Sequence, residues 1–370
     1  MLKWPRLVAS VLTPSTSCAL SSVSAEVLEE LVGHASEPAV RHSARRFDVF
    51  SRPLPIECRV ERVPDIHGTA VIHPHAEIGP NVVVGPYSVV GPGVILQDGV
   101  RLQSHVVIDG KTRVGRGTVV YPFASLGGEP QDKKHDLDFA AATTEATEAT
   151  HQVKDWTLTI GRNCVIRERV TVHGSTSYSY CPTTIGDDCW LLCGAHVAHD
   201  SQLKTRVVVS NDVCIAGHVT IGDGAVIGGQ VGLKQHVTVG PLAMVGGQSA
   251  VDGDVLPYGL VMGNRAKLVG LNLVGLRRAG VPRSQIKLLL QVYRYIFGRG
   301  CGNTGFAPAL DLTYRETVVK RAVEAKQFLV REGLDSRRIP MVHEMVDFVV
   351  TSSQRFRSSL CHAAIATRSC

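Results

Sequence analysis

The segment Cys193-Gly-Ala-His-Val-Ala-His-Asp200 sets His196, His199 and Asp200 close together, and Ala-Gly-His218 and Lys-Gln-His236 follow it. Asp200, His218 and His236 are spaced 18 residues apart, and so are His199 and Gly217. An imidazole titrates near neutral pH and can take the proton of an alcohol. A neighbouring carboxylate can orient that imidazole, and a backbone N–H can stabilise a tetrahedral oxyanion. Together these are the parts that acyl transfer to a hydroxyl requires. Two other readings use the same residues. Histidines on neighbouring layers can hold zinc, and any one of them alone is most simply a solvated corner residue.

A spacing of 18 brings side chains together only if the chain returns to the same place every 18 residues. Aliphatic residues recur every six positions at Ile66, Ile72, Ile78, Val84, Val90, Leu96, Leu102, Ile108, Val114, Val120 and Leu126. The phase resumes at Ile160, Ile166 and Val172, and again from Ile185 through Leu191 and Val197 to Val251. Four positions after each comes a small or β-branched residue, such as Val82, Ser88, Ala195 or Ala225. Six is neither the helical period nor the alternation of an amphipathic strand. It fits one short strand and one corner per hexad, three hexads per triangular coil, and coils stacked at strand spacing of about 4.8 Å. The fold expected over residues 61–256 is therefore mainly β, a parallel β-helix, and hexapeptide prisms of this kind are left-handed, against the usual crossover rule.

Two breaks in phase, 127–159 and 174–184, are expected to leave the prism as loops, the first carrying the low-complexity run Ala-Thr-Thr-Glu-Ala-Thr-Glu-Ala-Thr at 142–150. Helical spacing appears in 284–297, 314–332 and 342–355, so residues 257–360 are expected to form a small helical domain capping the solenoid, and 361–370 a tail. A second column, Asn211, Gly229 and Gly247, is again spaced by 18. Two glycines in register make a groove free of side chains, suited to a flexible acyl chain, or simply turn the corner.

Composition narrows the classes. Aromatic residues make up 5% and glycine numbers 36, which suits a narrow aliphatic interior with many tight corners. No apolar run reaches the roughly 18 residues of a membrane span, and a net charge of +6 leaves room for an acidic partner or a phosphorylated substrate without pointing to nucleic acid. The ten cysteines include no CxxC pair, which makes reduced thiols filling small core sites the expectation. The first 60 residues hold Lys3, Arg6, Arg41, Arg45, Arg46 and Arg52, with no acid before Glu26. That composition is transit-like and favours a mitochondrial location over plastid or cytoplasm.

From Ile66 to Leu360 the sequence resembles the UDP-N-acetylglucosamine O-acyltransferases of lipid A synthesis. The resemblance rests on Ser-His-Val-Val-Ile-Asp-Gly at 104–110, Pro-Gln-Asp-Lys-Lys at 130–134, Ile-Arg-Glu-Arg-Val-Thr-Val-His at 166–173 and Ala-His-Val-Ala-His-Asp at 195–200. Ala-Gly-His-Val at 216–219, Met-Val-Gly-Gly at 244–247, Gly-Asn-Arg-Ala at 263–266 and Gly-Leu-Arg-Arg-Ala-Gly at 275–280 extend it. The resemblance implies His199 as the general base for the sugar 3-hydroxyl, Asp200 as its support and the Gly217 amide as oxyanion donor. His196, His218, Gln131, Asp132, Lys134, Gln235 and Asn264 would contact the substrates. Asn211 and Gly229 would line an acyl groove that Met244 and Gly247 close, with room for a long 3-hydroxyacyl chain. The family is homotrimeric, uses no cofactor or resident metal, and takes its acyl group from an acidic acyl carrier protein, which Arg265, Lys267, Arg277, Arg278 and Arg283 would meet. The chain departs from the family pattern at Lys234, usually His, and at His173-Gly-Ser-Thr176, usually His-Arg-Gly-Thr. It also departs in its longer 136–155 loop and in the extension before Ile66, which suggests a eukaryotic, organelle-targeted homologue. The competing readings on this fold are a carbonic-anhydrase-like zinc protein, an N-acyltransferase of the same pathway and a non-catalytic trimeric scaffold.

Overall fold

The six-residue period is realised as strands of two residues separated by four-residue corners. The computed structural model describes residues 63–135, 157–176, 182–298, 312–334, 336–354 and 360–361. Two compact units share these residues: 63–279 with the returning segment 351–361, and 280–350.

In the first unit the strands fall into three sheets of 11, 9 and 8 strands, each sheet forming one face of the prism. Within uninterrupted coils pairing is parallel at an offset of 18: Val83 with Arg101, His196 with Cys214, and Thr220 with Thr238. Within each pair one side chain points in and the other out, as the strand pleat demands. The inward aliphatics are buried from Val84 onward, and the small residues four positions later, among them Val82, Ser88, Ala195 and Ala225, fill the space beside them. Ile66 is 41% exposed because no coil lies beyond it among the described residues.

The third residue after most of the aliphatics turns the corner with a positive φ. Asn, Asp and Gly serve at many corners, Asp200 (φ 59°) among them, but His218 (59°) and His236 (65°) also take it. Bulky side chains at left-handed φ are uncommon and strained. Here the ladder bonds on both sides hold them, and the aligned corners become ridges along the prism.

The breaks in phase are narrower than the expected loops. Val119 pairs with Val165 and Val165 with Trp190, so each inserted segment leaves and rejoins the stack in register. Strands Ser125–Gly128 and Thr157–Ile160 carry the prism into the 127–159 segment from both ends. Gly174 and Ser175, whose N–H groups donate to Gly128 O and Thr157 O, and the strand Thr183–Ile185 do the same for 174–184. A ladder bond is available wherever the neighbouring coil offers one, whatever the hexad phase. The repeat at 142–150 lies outside the described residues, as does the transit-like extension 1–60.

The boundary at 257 also shifts. Strand Gly259–Met262 still pairs with Met244–Val245 in the prism, and Lys267–Leu271 adds to it antiparallel. Helix α1 (Leu273–Arg278) follows, capped by Asn272 Oδ1 accepting from Gly275 N at 2.9 Å. Residues 360–361 are not a loose tail. Cys361 is buried, and its N–H donates to Asp254 O at 2.8 Å. The fully buried Asp254 carboxylate accepts from Thr238 N and Ser352 Oγ. The last full coil needs partners for its exposed peptide groups, and this returning segment supplies one.

The second unit holds helices α2 (Arg283–Phe297), α3 (Leu312–Arg331) and α4 (Pro340–Gln354), the last running on into residues 351–354. Ile286, Leu289, Val292 and Ile296 give α2 its buried stripe. α2 packs on α3, where Tyr295 Oη donates to Glu324 at 2.8 Å. No helix among the described residues is long and apolar enough to cross a membrane.

Candidate active site

The strand His196–Val197 and the corner after it deliver the histidine-rich segment to one edge of one prism face. Val197 points inward and is buried, so the pleat turns His196 outward. The corner then carries His199 and Asp200, with side chains only 3% exposed. His199 Nδ1 lies 2.7 Å from Asp200 Oδ2. Thr176 holds the same carboxylate twice: its N–H donates to Oδ1 at 3.1 Å and its hydroxyl to Oδ2 at 3.0 Å. Thr183 Oγ1 accepts from Asp200 N at 2.8 Å. Asp200 is thereby fixed as an acceptor, which directs His199 Nδ1–H at it and leaves Nε2 as the basic atom.

The next coil places Gly217 under that ring. A Cβ on Gly217 would stand 2.5 Å from His199 Cε1 and 2.6 Å from Nε2, so only glycine fits. The Gly217 carbonyl accepts from His236 N, whereas its own N–H has no acceptor among the described residues. The His199 ring thus packs directly on a glycine whose amide donor is uncommitted among the described residues. His218 Nε2 is 3.7 Å from Asp200 Oδ2, and its ring stacks on His236 with centroids 4.6 Å apart.

Toward the preceding coil, His196 Nδ1 lies 2.8 Å from Thr171 Oγ1, and its ring meets His173 edge-on at 4.9 Å. Burial pushes the His173 imidazole down to about 4, with His196 and His199 adding to the effect. His196 is lowered as well, mainly by burial and then by His199. Both rings are therefore neutral at physiological pH, so they shape the site without charging it.

An open cleft of about 690 Å3 lies over this face. His199, Gly217, His196, Gln131 and Gln235 line it, together with Lys234, Asp252 and Arg265. Its floor is the outward column Cys214, Gly232 and Ala250, all small. The other sequence candidates lie around it. Asp132 and Lys134 sit in the turn beside Gln131, where Lys134 N donates to Asp132 Oδ1. Asn264 bridges to Ala250 at the end of the floor. Asn211, Gly229 and Gly247 stack at the opposite corner of the same face: a Cβ on Gly229 would be 3.4 Å from Asn211 O, and one on Gly247 3.3 Å from Gly229 O. Met244 is on the adjoining face, paired with Val226 and Leu260. Arg277 and Arg278 are exposed in the last turn of α1, away from the cleft lining.

Sequence reasoning passed over Thr176 and Thr183, the two clamps on Asp200. They flank the inserted segment, so the 18-residue rule does not reach them. Cys214, expected with the other cysteines to fill a core site, is instead exposed on the cleft floor, unlike the buried Cys164, Cys189 and Cys361. His199, Asp200 and His218 each offer a ligand atom within 4.8 Å of the others. The close contact between His199 and Asp200 already uses the facing lone pair and proton.

Residues 254–361 match the family model described as UDP N-acetylglucosamine O-acyltransferase, domain 2, and 75–110 match the bacterial transferase hexapeptide of six repeats. The acyl-(acyl-carrier-protein)–UDP-N-acetylglucosamine O-acyltransferase of Agrobacterium fabrum is 39% identical over 256 residues, 69% of this chain and 81% of that one. Its counterpart in Caulobacter vibrioides is 46% identical over 194 residues, 52% of this chain and 68% of that one. The crystal structure of Arabidopsis UDP-N-acetylglucosamine acyltransferase is similar at a TM-score of 0.63 and 30% identity, covering 80% of this chain and 99% of that one. With 81% of a relative covered at 39% identity, this left-handed parallel β-helix with C-terminal helices belongs to the UDP-N-acetylglucosamine O-acyltransferase family.

Proposed function

We propose that the protein transfers a 3-hydroxyacyl chain from acyl carrier protein to the 3-hydroxyl of UDP-N-acetylglucosamine. The observation that carries this reading is the packing of the His199 ring, Nε2 included, directly against Gly217 beside a cleft. His199 Nε2 takes the proton of the sugar hydroxyl while the oxygen attacks the thioester carbonyl. The Gly217 N–H donates to the resulting oxyanion. Collapse expels the carrier thiolate, which recovers the proton from the imidazolium and leaves as thiol. Asp200, clamped by Thr176, stabilises the imidazolium in between. The low floor of Cys214, Gly232 and Ala250 and the glycine corner of Gly229 and Gly247 suit an extended acyl chain. Relatives at this identity are acyltransferases, which disfavours the zinc-protein reading.

The assay is acyl transfer to UDP-N-acetylglucosamine from a ladder of 3-hydroxyacyl carrier proteins. His199→Ala is expected to lose at least about a hundredfold in kcat with unchanged assembly. Near-normal turnover in that variant would sink the mechanism.

Two features complete the proposal. The protein acts as a homotrimer: Val71, Val89, Val107, Tyr87 and Phe123 are each at least 40% exposed on neighbouring coils, along the face that carries the cleft further on. The Lys- and Arg-bearing segment 1–60 directs the chain to an organelle, the mitochondrion first, with plastid as the alternative. A fluorescent fusion of residues 1–62 that stays in the cytosol would reject the second feature.

A further inference from the structure

Lys234 falls inside the cleft. Lys234 lies at the corner that stacks on Ala216-Gly217-His218: its N–H donates to Val251 O at 3.0 Å, and His236 N donates to Gly217 O at 3.2 Å. It is therefore one coil, about 4.8 Å, from the residue that precedes the oxyanion glycine. Its side chain is exposed and lines the cleft.

The charges around it do not cancel. Asp252 is the only acid of the cleft lining, and it faces the Arg265 guanidinium at 3.6 Å. Among the described residues no carboxylate pairs with Lys234. The cleft thus holds one ammonium in excess, on a flexible stem, next to the reacting centre. An ammonium is a compact point charge with three donors, suited to non-bridging phosphate oxygens. A histidine at this place would carry that charge only below its own titration range.

We infer that Lys234 is a substrate-binding residue that grips a phosphate group in the cleft. This rests on the acyl-transfer reading above. Two sources supply that chemistry, the diphosphate of the sugar nucleotide and the phosphodiester of the carrier's prosthetic arm.

The test measures both KM values and kcat for the full-length protein and for Lys234→Met, Lys234→Arg and Lys234→His. Lys234→Met is expected to raise one KM about tenfold with kcat within twofold, and Lys234→Arg to restore it. The substrate whose KM rises names the phosphate. Lys234→His is expected to behave like the wild type at pH 6 and like Lys234→Met at pH 8, a crossover that a packing defect would not produce. Unchanged KM values, or an equal rise in both, overturn the assignment while leaving the acyl-transfer reading intact. No turnover by the wild-type protein removes that reading and the Lys234 role with it.

Discussion

In the proposed mechanism the base His199 depends on neighbours that lie behind it. Thr176 gives Asp200 two hydrogen bonds, and Asp200 in turn holds His199 Nδ1. Bonds to a charged acceptor are worth roughly 1.5–3 kcal/mol when buried. Thr176→Val removes the hydroxyl but keeps the shape and the backbone donor. It is expected to lower kcat by about tenfold, with both KM values within twofold, and steady-state kinetics checks that split. A matching rise in KM would mean that Thr176 serves binding and not the base. The repeat alone made the core of this site legible: it set His199 over Gly217 and stacked Asp200 with His218, because an 18-residue coil works as a coordinate system. It could not reveal Thr176, Thr183 or the pairing of His173 with His196. Between those layers the coil is lengthened, with Thr171 opposite His196 at a separation of 25 residues, and fixed arithmetic fails.

At the scale of elements, the lengthened coil is also where acid should act first. It packs the strand Thr171–His173 against His196–Val197, and both imidazoles are held neutral by burial. His173 protonates near 4 in the folded chain and near its ordinary value of 6.5 when unfolded. Between those values the unfolded state binds more protons, so stability rises with pH there. The His173 contribution is complete above pH 6.5 and is lost as pH falls toward 4. Thermal melts between pH 7 and 4.5 are expected to show a falling Tm, and His173→Gln to flatten that fall. Equal slopes for the two proteins would place the acid sensitivity elsewhere. Strands and corners were readable because hexads dictate them. The extra strands at 259–271 were not, since no hexad phase runs through Gly259–Met262 and its pairing is a tertiary choice of the last coil. The same holds for Cys361, which is recruited by Asp254 from over 100 residues away.

At the scale of the whole molecule, the prism face that bears the cleft is continuous but changes character along its length. Its outward column runs Val71, Val89 and Val107, then Ser125 and Thr171, then His196, Cys214, Gly232 and Ala250. The first three are at least 40% exposed, and beside them Tyr87, His105 and Phe123 form a ladder of rings about 5 Å apart at the corner. Contiguous exposed apolar surface of this kind marks an interaction site. A closed ring of identical chains would cover it through one repeated contact. Light scattering on the purified protein is expected to give three times the chain mass. The double variant Val89→Asp and Val107→Asp puts two carboxylates into that contact and is expected to shift the mass toward one chain. Both residues point out of the prism, so the isolated chain should keep its sheet signal by circular dichroism. If the cleft is completed by a neighbouring chain, transfer activity falls with the trimer and recovers as protein concentration is raised. Activity that stays constant while the trimer dissociates would mean that each chain carries a whole site. A trimer that survives both carboxylates would move the interface to another face of the prism.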